Sequence, residues 1–383
     1  MLFGEASIPV EKAVFPKALW LDRLIDIPPA IKQINKVLTS GRFPHFSIIS
    51  GPPGSGQLIA ALHAAQFLLC GSEHKPCGEC LSCYKVNGLI HPDLHFSFPL
   101  IGAGALAIDH YGPFREAVKE QAYLDLPFWQ RKFDADNKQF NISKAETWSV
   151  IERMSMKPNE GDCNVMVIWM PEFLGKEGNV LLKLLEEPPG NSYLIMATED
   201  PSAILPTVRS RAQVFQLPPV DEGVLADYLC RQFSMEMDRA MEYAIISASD
   251  VATCINWASQ QSVRWLDLGK MMFQKAFIGD PMGFLEWNER LIALSRDEQK
   301  QFFFFVERLL SLSLRTRHGL LTVREGVEVL EYAAKISGRM DAQTIDNMQI
   351  MITDTIYAIQ RNANIRILLL DFMIKLSGLI RGV

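Results

Sequence analysis

The sequence predicts a three-layer α/β domain over roughly residues 1–219, followed by an all-helical region that continues to residue 383. Three observations predict it. Short buried strands occur at Phe46–Ser50, Val165–Trp169 and Tyr193–Ala197, and Val165–Trp169 is a continuous apolar run of the kind that fills a parallel sheet covered on both faces. Segments of helical periodicity separate them, as βαβ architecture requires. After Pro219 no strand pattern recurs, and helical periodicities follow one another to the end.

In chain order, Ile31–Leu38 reads as helix and Ser40-Gly41 as a turn. The strand Phe46–Ser50 then runs directly into Gly51-Pro52-Pro53-Gly54-Ser55-Gly56, and apolar residues recur at helical spacing from Leu58 to Leu69. Strand, glycine-rich loop and helix form the opening unit of a nucleotide-binding α/β fold. A helix over Asn179–Glu187 is ended by Pro188-Pro189, whose rings cannot continue it. A shorter strand, Gln213–Leu217, closes the domain before Pro218-Pro219. Residues 97–140 fit neither pattern; rich in aromatics (Tyr111, Phe114, Phe128, Trp129, Phe140), they read as an insertion. The helical part divides into a small unit at about 220–262 and a larger one at about 263–383, with the patterns Phe302–Leu314, Arg324–Ile336 and Ile345–Ile359.

At 383 residues the chain exceeds one ordinary domain, and 48% hydrophobic against 21% charged residues marks it as globular. A formal net charge of −6 argues against a protein that tracks duplex DNA alone, which needs basic groups for phosphate. Nucleic-acid contact is therefore expected to be local or made within a larger assembly. The N-terminal MLFGEASIPVEK lacks a signal-peptide pattern, and charges interrupt every apolar stretch before it could span a membrane. The expectation is a soluble, cytoplasmic chain with no membrane partner.

A working P-loop needs glycines whose N–H groups cradle phosphate, a Lys for the β/γ charge and a Ser/Thr hydroxyl for Mg²⁺. Here Gly51, Gly54 and Gly56 stand in place, but Gln57 replaces the Lys and Leu58 the hydroxyl. The acidic pair expected at the end of the next core strand is also missing: Val165–Trp169 ends in Met170-Pro171. Glu172, just past it, reads as a solvated turn carboxylate. Two independent losses predict a degenerate ATPase that binds ATP weakly or not at all.

Cys70, Cys77, Cys80 and Cys83 fall within fourteen residues, a spacing that lets four thiolates close a tetrahedral shell around a structural Zn²⁺. Gly71, Pro76 and Gly78 supply the turns, and His74 or His91 could replace the loosest ligand, Cys70. Cys163, Cys230 and Cys254 read as buried apolar thiols.

Four segments carry a family resemblance: Gly51–Gly56 without its Lys, the Cys70–Cys83 cluster followed by His91-Pro92-Asp93, the run LLKLLEEPP at 181–189, and Ser210-Arg211 after Thr207-Val208-Arg209. Together they span about residues 15–96 and 141–219. The chain resembles the AAA+ family of the bacterial DNA polymerase III clamp loader, and within it the delta-prime branch, relatives of gamma/tau without a working P-loop. The resemblance implies a RecA-like AAA+ domain (1–219) carrying a zinc module at about 70–83, a helical lid (220–262) and a C-terminal helical collar (263–383). It implies gamma/tau and delta-type subunits as partners, with the sliding clamp and primed DNA reached through the assembly. It also places Thr198 at the sensor position and Arg211 as an arginine finger for the ATP of a neighbouring subunit. The family's usual Cys after that arginine is Ala212 here, which leaves the guanidinium untouched. The bland reading of Arg211 is a surface cation at a helix end. Two rival functions are a zinc-dependent nucleic-acid-binding protein on a decayed scaffold, which the charge balance disfavours, and an active gamma/tau-like ATPase, which the double loss disfavours.

Overall fold

The computed structural model describes residues 16–133, 139–259, 265–320, 327–361 and 363–382. The N-terminal stretch read for targeting, the start of the Arg324–Ile336 pattern, part of the insertion and the expected junction near 262 lie outside them. The described residues form two compact units, one up to Pro218 and one from Pro219 onward.

The first unit is built on a parallel sheet of β1 (Phe46–Ser50), β2 (Leu94–Ser97), β5 (Asn164–Trp169), β6 (Ser192–Thr198) and β7 (Gln213–Gln216), in the order β2-β5-β6-β1-β7. A separate antiparallel pair joins β3 (Leu100–Ile101) to β4 (Phe140–Asn141). The helices are α1 (Pro29–Thr39), α2 (Gln57–Leu69), α3 (Leu81–Asn87), α4 (Tyr111–Glu120), α5 (Leu126–Arg131), α6 (Lys144–Ser155), α7 (Leu182–Glu186) and α8 (Pro206–Arg209). Every residue of β1 and β5 is buried, as a parallel sheet covered on both faces demands. On one face Phe46, Ile48, Met166, Ile168 and Met196 pack with Val150 and Met154 of α6 and Leu184 and Leu185 of α7. The almost wholly buried α2 packs against β1, β5 and β6. The result is the expected three layers.

Two elements differ from expectation. The edge strand β2 was not legible, because Leu-His-Phe-Ser is short and mixes polar with apolar residues. The helix expected over 179–187 is instead a 3₁₀ stretch, Pro171–Leu181, interrupted at Gly175 (φ +49°), with only Leu182–Glu186 α-helical.

The insertion is a packed module. Phe98 stacks on Phe114 with centroids 4.2 Å apart, and the Trp129 indole N–H donates to the Pro99 carbonyl at 2.8 Å. A buried ion pair ties it to the sheet. Arg153 of α6 donates to Glu146 (2.6 Å), the Phe96 carbonyl (2.9 Å) and the Tyr111 hydroxyl, while Glu146 accepts from the Ala107 N–H (2.8 Å).

The second unit is all helical among its described residues: α9 (Glu222–Phe233), α10 (Met237–Ile246), α11 (Val251–Ser259), α12 (Trp265–Ile278), α13 (Pro281–Ile292), α14 (Arg296–Arg317), α15 (Glu328–Arg339), α16 (Ala342–Gln360) and α17 (Ile365–Arg381). Side-chain caps start many of them: Asp221, Asp280, Asp341 and Asn364 accept first-turn N–H groups, and Ser295 with Glu298 forms a reciprocal capping box. The long α14 buries Phe302, Phe303, Val306, Leu309 and Leu310 and packs against α15 and α16. No helix among the described residues is long and apolar enough to cross a membrane. Of the three scattered cysteines, Cys163 and Cys254 are buried, whereas Cys230 is half-exposed.

Candidate functional site

The glycine loop leaves the C-terminal end of β1 and enters α2 with Gly56 as its N-cap. Its glycines answer to packing. A Cβ on Gly51 would lie 2.2 Å from Ser55 Oγ and 2.9 Å from the Leu217 carbonyl, and one on Gly56 (φ +85°) would lie 2.5 Å from Leu24 Cδ2. The loop therefore needs glycine whether or not phosphate is present.

Gln57 does more than fail to supply charge. Its side-chain amide donates to the carbonyls of Gly51 (2.5 Å) and Pro52 (2.8 Å), so it closes the loop upon itself. Leu58 is buried in the core. One helical turn thus replaces a cation and a metal-holding hydroxyl with an internal clasp and a core side chain.

At the ends of the neighbouring strands the expectation for Glu172 needs correcting. It is not a solvated turn carboxylate. Met170 leaves β5 in a left-handed conformation (φ +55°) and brings Glu172 under the end of β6. There Oε1 accepts from the Thr198 hydroxyl (2.5 Å) and from the N–H groups of Glu199 (2.7 Å) and Asp200 (3.0 Å). The hydroxyl at the expected sensor position is thereby engaged within the chain. Glu172 Oε2 is buried without a partner.

Arg211 lies between α8 and the edge strand β7, partly exposed. Its guanidinium pairs with Glu186 of the LLKLLEEPP run, with Nε donating at 2.8 Å, and also donates to the Thr207 carbonyl at 2.7 Å. A surface pair of this kind is worth at most about 1 kcal/mol. Arg209, which like Lys183 carries no role from the sequence, donates to the Pro201 carbonyl.

The cysteine cluster forms at the other end of α2. Cys70 follows its last turn, and Cys80 caps α3 by accepting from the Cys83 N–H. All four sulfurs lie within 4.8 Å of one another. The sulfur pairs 70–77, 70–80 and 77–83 are 3.6, 3.9 and 3.9 Å apart. Four bonds of about 2.3 Å at tetrahedral angles put sulfurs about 3.8 Å apart, so the donor set fits Zn²⁺. The N–H groups of Cys77, Cys80 and Cys83 point at the sulfurs of Cys70, Cys77 and Cys80 at 3.4–3.5 Å, a backbone cradle that stabilises thiolate. Interaction with the neighbouring Cys83 lowers the pKa of the Cys70 thiol, and the same interaction raises that of Cys83. Among the described residues neither His74 nor His91 joins the cluster.

His91 and Asp93 have another task. The buried Asp93 accepts from the N–H groups of Asn159 (2.5 Å), Glu160 (2.9 Å) and Gly161 (2.7 Å), tying the turn before β5 to the start of β2. Burial opposes its ionisation, but these three donors hold its carboxyl below the usual range. The signal was present in His-Pro-Asp, a carboxylate immediately before a strand, but its partners lie some 66 residues away.

The model of the family described as "DNA polymerase III, delta subunit" matches residues 27–221. DNA polymerase III subunit delta' of Escherichia coli (strain K12) is 23% identical over 323 residues, which cover 82% of this chain and 82% of that protein. The subunit delta' of Bacillus subtilis (strain 168) is 26% identical over 208 residues, 54% of this chain and 51% of its own, so there the chain spans about half the relative's length. Among solved structures, a gamma subunit-related protein of Thermotoga maritima is similar at TM-score 0.43 and 12% identity, covering 91% of this chain and 100% of that one.

Proposed function

The chain belongs to the DNA polymerase III delta subunit family, and from that premise we propose that it is a non-hydrolysing delta-prime-type subunit of a clamp loader, helping to load the sliding clamp on primed DNA during replication. The observation that carries the reading is the clasp of Gln57 on the Gly51 and Pro52 carbonyls, with Leu58 buried beside it. A loop closed on itself, with neither the cation nor the metal-holding hydroxyl, has no means of driving phosphoryl transfer. The chain's contribution is then made to a neighbour. Arg211, partly exposed at the sheet edge beside β7 and held by a surface pair and one backbone carbonyl, is suited to reach the ATP of an adjoining gamma/tau-type subunit. Its planar fork matches phosphate oxygens better than an ammonium would.

In this reading residues 1–219 form the RecA-like AAA+ domain, 220–262 the lid, and 263–383 the collar that joins the ring beside gamma/tau and delta-type subunits. Cys70, Cys77, Cys80 and Cys83 would hold a structural zinc, a closed four-sulfur site with no position for water.

The test is the clamp- and DNA-stimulated ATPase activity of the reconstituted ring. Arg211→Ala is expected to assemble normally and to slow hydrolysis at the adjoining site by about 10³-fold, with Arg211→Lys rescuing only partly. An Ala variant that assembles and leaves turnover unchanged would make Arg211 an ordinary surface arginine.

A further inference from the structure

Within the second unit, α12 and α15 lie side by side and run in the same direction: Lys270 meets Glu328, Phe273 meets Tyr332, and Arg339 lies over Phe277. Between them opens a cleft of about 610 Å³. Each helix lines it with a single face, Lys270, Phe273, Gln274 and Phe277 from α12 and Tyr332, Lys335, Ile336 and Arg339 from α15, both at spacing i, i+3, i+4, i+7. The floor is aromatic and aliphatic. Phe277 and Ile278 at one end are 37% and 62% exposed, apolar area that folding within this chain leaves in water.

The rim is cationic, and among the described residues no carboxylate lines the cleft. Lys270 is already shared with Glu328. Lys335 and Arg339 are exposed and form no ion pair among the described residues; Arg339 only lies over the Phe277 ring, 5.9 Å from its centroid. On a chain of net charge −6, two unpaired cations flanking an apolar trough are a local inversion of sign. Charge complementarity then selects the occupant.

We infer that the cleft between α12 and α15 is a docking groove for an acidic amphipathic peptide of a partner protein, its apolar residues seated on Phe277, Ile278 and Tyr332 and its carboxylates facing Lys335 and Arg339. Two parallel helical faces with a trough between them match helix-in-groove recognition, in which apolar anchors recur at i, i+3/i+4 and i+7. Single-stranded nucleic acid fits less well, since base stacking needs open ring faces, and here Arg339 lies over the Phe277 ring and Lys270 over that of Tyr332. The inference stands apart from the role of Arg211 and from the glycine loop.

The test uses the full chain and a fluorescent helical peptide of about three turns, with Leu and Phe anchors on one face and Glu flanking them, followed by fluorescence anisotropy. The expected result is saturable binding that weakens as salt rises and falls about tenfold or more in Lys335→Glu/Arg339→Glu, whose exposed positions leave the fold intact by circular dichroism. Phe277→Ser should weaken it independently of salt. No saturation up to about 1 mM peptide, equal binding by the double variant, or equal binding of a peptide with its apolar anchors replaced by Ser would each overturn the inference. Binding of an oligothymidylate abolished by the same double variant would assign the groove to nucleic acid, and loss of a self-dimer in sedimentation would assign it to a second copy; either outcome also overturns it.

Discussion

The two ends of α2 had opposite fates. At its N-terminus the glycine loop keeps the backbone of a phosphate site without the groups that do phosphate chemistry; at its C-terminus Cys70 opens a four-sulfur set with every donor in place. The difference lies in how each site is satisfied. The loop's glycines are demanded by Ser55, Leu217 and Leu24, and its carbonyls are answered by Gln57, so the fold is complete with no ligand. Four sulfurs packed within 4.8 Å have no such internal solution, because more than one thiolate there would repel without a cation. The glycine loop is closed by its own side chains, whereas the four sulfurs have the spacing to close around a metal ion.

The largest effect that could break this comparison is at the cysteine end. One zinc per chain should be found by metal analysis of protein purified without added zinc. Cys83→Ser or chelation should lower the thermal midpoint by roughly 10 °C, since structural zinc contributes directly to folding. A metal-free protein with an unchanged midpoint would put both ends of α2 in the same class.

At the glycine end, Gln57→Ala strands two loop carbonyls and should cost about 2 kcal/mol in urea unfolding. Gln57→Lys should restore no ATP turnover, because Leu58, Met170 and Pro171 remain. Steady hydrolysis by that variant would mean the missing hydroxyl and acidic pair are dispensable here.

The smallest effect sits midway along the helix. Burial pushes His63 down to about 4 while its ring bonds Asn35 Oδ1 at 2.6 Å. Between its unfolded value near 6.5 and this folded value, the unfolded chain takes up the proton and the folded one does not. Stability is therefore lost as pH falls through that window. Between about pH 7 and pH 5.5, His63→Gln should lose about 1 kcal/mol less than the parent, read from denaturant midpoints.

The sequence by itself determined the strands β1, β5 and β6, whose apolar runs suit a covered parallel sheet, the shorter edge strand β7, and the replacement of the P-loop Lys and hydroxyl by Gln57 and Leu58. It also marked the four cysteines, because ligands close in sequence need only local turns to converge. Only the tertiary structure decided where Glu172, Asp93, Arg153 and Arg211 direct their charges. Glu172 reaches Thr198 across two strands, Asp93 holds a turn beyond the insertion, Arg153 joins α6 to Phe96 and Tyr111, and Arg211 finds Glu186. Such partners are separated by tens of residues along the chain, and local periodicity carries no information about pairs brought together by folding. The same reason hid β2 and the α12–α15 groove: an edge strand is defined by its neighbour, and a trough by two helices that each look like an ordinary amphipathic face.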